Sequence, residues 1–66
     1  MKLIRLRHVM QMTGLGRSSI YNYMKDQSFP KQVKITSNLS AWVETEINEW
    51  IQDKVNQRDN SPHLTS

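Results

Sequence analysis

Sixty-six residues give room for one domain with a small core, and with no cysteine neither a disulfide nor a cysteine-based zinc site can reinforce it. The apolar runs are only a few residues long and Arg5 and Arg7 interrupt the first of them, so no membrane span and no signal-peptide core is expected, and a cytoplasmic protein is. The net charge of +3 divides unevenly: residues 1–43 hold seven lysines and arginines against Asp26 alone (+6), while residues 44–66 hold Lys54 and Arg58 against five acids (−3).

Leu3-Ile4-Arg5-Leu6 reads as a short strand or an extended lead-in. Leu6, Val9 and Met10 then recur at helical spacing, which predicts a helix over Arg7–Met12. Thr13-Gly14 ends it, because glycine readily takes the left-handed conformation that helix C-termini favour. Leu15 turns inward and Gly16 adds a second flexible point. A second helix follows from Arg17 to Lys25 or Asp26, with Ile20, Tyr23 and Met24 on one side. Its opposite side presents Ser18, Asn22 and Lys25, with Tyr21 on the flank, and meets no carboxylate before Asp26. Phe29-Pro30 closes the region, since the residue before proline is pushed out of the helical well.

Lys31–Ile35 alternates polar and apolar as a strand does, Thr36-Ser37-Asn38 is turn chemistry, and Ser40–Val43 returns as a second strand. A last helix over Glu44–Val55 carries Ile47, Trp50, Ile51 and Val55 at helical spacing. Glu44 and Glu46 stand in its first turn, where the helix dipole favours negative charge by a few tenths of a kcal/mol up to about 1. Beyond Asn56 the chain has almost no apolar content and reads as a flexible C-terminal tail. The order is strand, helix, turn, helix, hairpin, helix. It describes a mainly α fold with a small β-hairpin, a winged helix-turn-helix, over residues 1–56, with a tail over 57–66.

The run LRHVMQMTGLGRSSIYNYMKDQSFPKQVKI, followed by W-x-E-x-E-I-x-x-W at residues 42–50, resembles the AlpA family of prophage regulatory proteins. Its characteristic stations here are Thr13-Gly14-Leu15, Arg17-Ser18, Ile20-Tyr21 and Phe29-Pro30, and the resemblance covers roughly Leu3 to Ile51. It implies a small winged-helix DNA binder, related in fold to phage excisionases and to the DNA-binding domains of MerR-type regulators. Two features depart from the family pattern. Gly16 stands where Ser or Thr is usual at the helix N-cap, and the Thr36-Ser37-Asn38-Leu39 turn lacks the usual arginine of the wing. That turn offers no charged wing-tip contact and leaves Ser37 or Asn38 as candidates for a hydrogen-bonding one.

The residue types suit that partner. DNA binding draws most of its affinity from cations placed against phosphates, and sequence reading comes from a few side chains in the major groove. Arg17 at a helix start reaches guanine or phosphate, Ser18 and the first-turn amides suit a phosphate oxygen, and Asn22 is the type that reads adenine. Tyr21 and Lys25 flank it on the backbone, and Lys31 and Lys34 follow neighbouring phosphates. Each has a bland competitor: Ser18 as a cap, Tyr21 packed by Pro30, Lys31 and Lys34 as protection of an edge strand. Trp42 and Trp50, with Ile47 and Ile51 between and beside them, read as core rather than as a stacking platform.

No catalytic arrangement, metal site or cofactor is expected: there is no cysteine nucleophile, no Ser/His/acid set and no phosphate-cradling glycine loop. The expected function is sequence-specific binding of double-stranded DNA by a transcriptional regulator of a prophage or integrative element. Two alternatives remain: an excisionase-like architectural factor working with an integrase, or a protein-interaction antirepressor using the acidic last helix. RNA polymerase or an integrase and further copies of the chain on DNA are the partners considered.

Overall fold

Leu6, Val9 and Met10 share one face of α1 (Leu6–Thr13) in the computed structural model, which describes residues 1–60, and Val9 on that face is fully buried. Gly14 stops the helix at φ 74°, a left-handed conformation that costs glycine little, and its N–H donates to the Met10 carbonyl at 2.8 Å. The Thr13 hydroxyl donates to the Val9 carbonyl at 2.9 Å and accepts from the Leu15 N–H at 3.2 Å. These bonds pin the turn, and Leu15 packs half-buried against the core.

The next helix, α2 (Arg17–Lys25), begins as expected after Gly16 and buries Ile20 completely. It ends in a tight reversal. Gln27 adopts a left-handed φ of 61°, and the Asp26, Gln27 and Ser28 N–H groups return to the Asn22, Met24 and Tyr23 carbonyls. The reversal turns Phe29 into the core.

Three antiparallel strands follow the order β1-β3-β2, with β1 at Leu3–Ile4, β2 at Val33–Thr36 and β3 at Leu39–Val43. The lead-in is thus a strand, pairing Leu3 with Val43 and Ile4 with Trp42. On the other side Val33 opposes Ala41, Lys34 opposes Ser40 and Thr36 opposes Leu39, which leaves Ile35 as the extra residue of a bulge. The hairpin tip is Ser37-Asn38, and the Asn38 N–H donates to the Thr36 hydroxyl at 3.2 Å.

The last helix, α3 (Glu44–Asn60), follows β3 directly and drives Ile47 into the core. Tyr23 and Phe29 meet the Trp50 ring edge-on at 5.8 and 4.8 Å, and the Trp50 indole N–H donates to the Ser28 carbonyl at 2.6 Å. The sequence reading ends this helix at Val55, whereas it continues to Asn60, so residues 57–60 extend the helix rather than begin a tail. The apolar spacing stops at Val55, but each further helical residue adds a backbone bond at little cost once a helix exists. The rest of the expected tail, residues 61–66, lies outside the described residues.

Trp42, Ile20, Ile47 and Val9 are the largest fully buried side chains, joined in the core by Ile4 and Phe29. Burying an aromatic of this size contributes on the order of 2–3 kcal/mol, a large share of what so small a domain has. Among the described residues no helix is long and apolar enough to cross a membrane.

Candidate nucleic-acid interface

Because Ile20 and Met24 turn toward the core, the helical period leaves Ser18, Asn22 and Lys25 on the other side of α2, and all three are exposed. Asn22 shares a shallow hollow with Ser19 and Asp26 near the end of the helix. Arg17 and Tyr21 are exposed as well, and they face a different neighbourhood.

Where α2, the start of α1 and the hairpin meet lies an open hollow of about 360 Å³. Arg17 and Tyr21 line it from α2, Arg5 and Arg7 from the start of α1, and Asn38 and Ser40 from the hairpin. Leu6 and Trp42 complete the lining, which contains three guanidinium side chains and no carboxylate. Both helices begin at this hollow without a side-chain cap and without an acidic residue in the first turn. Their positive dipole ends therefore add to the arginine charge instead of being neutralised. The Trp42 indole N–H is buried and has no hydrogen-bond partner among the described residues. An unpaired buried donor costs about 1–3 kcal/mol, so this is an uncommon feature in a native fold.

Of the residues expected from sequence, the hollow gathers Arg17, Tyr21 and Asn38. Lys34 is exposed on β2 opposite Ser40, and directly opposed residues of an antiparallel pair project to the same face. Ser37 is exposed at the hairpin tip. Lys31 goes elsewhere: it lines a groove of about 720 Å³ against α3, together with Glu46, Glu49 and Asp53. Sequence reasoning missed Arg5, Arg7, Ser40 and Trp42. The available signal was the Arg5-x-Arg7 pair at a helix start, which shares the hollow with Arg17 of the next helix.

The chain matches the family described as Prophage CP4-57 regulatory protein (AlpA) over residues 2–55. It is 32% identical over 59 residues to the DNA-binding transcriptional activator AlpA of Escherichia coli (strain K12), covering 80% of this chain and 84% of that protein. It is also 32% identical over 54 residues to the uncharacterized protein ORF88 of Enterobacteria phage P4, covering 82% of this chain and 61% of that one. The stations read in the sequence, from Thr13-Gly14-Leu15 to Trp50, lie within the matched span, and the chain belongs to the AlpA family of prophage regulatory proteins.

Proposed function

We propose that this chain is a sequence-specific binder of double-stranded DNA that regulates transcription from a prophage or integrative element. It works as a winged helix-turn-helix, with the binding unit inside residues 1–56: α2 enters the major groove, and the β2–β3 hairpin lies along the adjacent backbone. The observation that carries this reading is the outward surface of α2, where Ser18, Asn22 and Lys25 stand exposed and where Arg17 and Tyr21 of the same helix line the arginine hollow. An α-helix fits the major groove, and a face of amide, hydroxyl and ammonium groups meets base edges and phosphates without repulsion. The Escherichia coli relative, a DNA-binding transcriptional activator, supports the same class.

The roles divide by position. Asn22 reads a base edge, Arg17 sits where the helix start meets the groove wall, and Ser18, Tyr21 and Lys25 hold the backbone on either side. Lys34, Ser37 and Asn38 carry the contact onto the hairpin. One copy touches few phosphates, so tight binding requires several copies side by side or a bent duplex.

Footprinting across the chain's own locus tests this reading. Protection of a promoter-proximal site is expected, with log K falling by about 0.9 per phosphate neutralised as log salt rises. Asn22→Ala should relax base preference at one position, whereas Lys25→Ala should weaken all sequences alike and shallow the salt slope. Tandem spaced sites on bent DNA would assign the architectural role instead. A folded sample indifferent to every duplex in low salt would end the DNA-binding reading.

A further inference from the structure

We infer that the hollow between Arg5, Arg7, Arg17 and Trp42 is a built pocket for a single phosphate group, and that it clamps one backbone phosphate of the bound duplex. The inference deepens the DNA-binding reading and rests on it for the source of the phosphate, though not for the anion chemistry.

Three independent features converge on the pocket. The first is charge: three arginines line it and no acid does. Guanidinium groups keep their charge throughout the physiological range and match phosphate geometry with paired N–H donors. The second is the backbone. α1 and α2 both start here, neither start is capped by a side chain, and neither first turn holds an acid that would satisfy its free amides. By contrast α3 opens with Glu44 and Glu46.

The third feature is Trp42, which lines the pocket while only 1% exposed and whose indole N–H has no partner. Trp50 shows the usual arrangement in this same chain, with its N–H held by the Ser28 carbonyl. Trp42 lines the same hollow as the three arginines, so an anion seated there lies against the residue that carries the unpaired donor. Tyr21 and Ser40 add hydroxyls at the rim.

With Arg5 and Arg7 engaged, the duplex is held from α1, α2 and the hairpin together, and the phosphate fixes the register in which Asn22 meets the bases.

The test uses the full chain labelled with ¹⁵N, in which the two indole N–H signals are assigned with a Trp50→Phe variant. Inorganic phosphate is titrated first, at constant ionic strength, and then a mixed-sequence duplex in low salt. The Trp42 indole signal is expected to move downfield and saturate with both, while that of Trp50 stays in place. In a folded Arg5→Gln/Arg7→Gln variant the phosphate response should weaken at least tenfold. The slope of log K against log salt for the duplex should then shallow by about 0.9, the share of one phosphate.

A Trp42 signal unmoved by a duplex that does bind overturns the pocket and leaves the DNA reading standing. A signal that moves with phosphate, in a chain that binds no duplex, keeps the pocket and overturns the DNA reading.

Discussion

Two sides of this small molecule are built from the same core but offer opposite chemistry. On one side the starts of α1 and α2 and the β2–β3 hairpin surround a hollow lined by Arg5, Arg7 and Arg17, with a buried N–H of Trp42 unpaired. On the other, Glu46, Glu49 and Asp53 of α3 line a groove in which the buried Gln32 side-chain oxygen is the unpaired atom. Three guanidinium groups and no carboxylate line the first, while three carboxylates and the one ammonium of Lys31 line the second. The uneven charge along the sequence therefore becomes a direction in space, and a polyanion is steered to one side and repelled from the other.

Reversing charge in the hollow with Arg17→Glu should lower duplex affinity about 100-fold, or ~2.8 kcal/mol at 1.4 kcal/mol per tenfold. Reversing charge in the opposite groove with Glu46→Lys should leave affinity unchanged or slightly raised. Fluorescence anisotropy at fixed salt measures both. The opposite ranking would place function on α3, as the antirepressor alternative requires.

A middle-sized effect separates the two tryptophans. Trp50 joins Tyr23 and Phe29 edge-on and donates to the Ser28 carbonyl, on the side away from the arginine hollow. Trp50→Phe keeps an aromatic ring but loses the hydrogen bond and some buried area. Denaturant unfolding should show a loss of about 1–2 kcal/mol. Duplex affinity of the folded protein should stay within twofold, and a large loss of affinity would mean that the division between the faces is wrong.

The contrast between the faces also shows which parts of this molecule a sequence exposes. Local periodicity placed the helices and hairpin, because Val9, Ile20 and Ile47 recur with their apolar neighbours at spacings that only one local conformation buries. The outward face of α2 followed from the same period. The family resemblance supplied the DNA partner and directed attention to Arg17. What stayed hidden is tertiary. Arg5 meets the hairpin's Asn38 and Ser40 in one hollow, and Lys31, beyond the reversal at Gln27, lines a groove with carboxylates of α3. Neither event leaves a local pattern. Gln27 is a residue type that seldom takes positive φ, so nothing in the string marks the reversal.

Gly16 precedes α2 with φ −80° and ψ 168°, an ordinary extended conformation, and a Cβ built there meets nothing within 4 Å. Serine fits without strain, and its hydroxyl can accept from a first-turn N–H, so Gly16→Ser should stabilise the fold by a few tenths of a kcal/mol. The same hydroxyl competes for an amide that the neighbouring hollow leaves free for an anion. Thermal unfolding should therefore rise by a degree or two, at roughly 4–8 °C per kcal/mol, while phosphate affinity falls slightly. A rise in both would mean that the free amides of α2 take no part in holding the anion, and that Arg5, Arg7 and Arg17 attract it by charge alone.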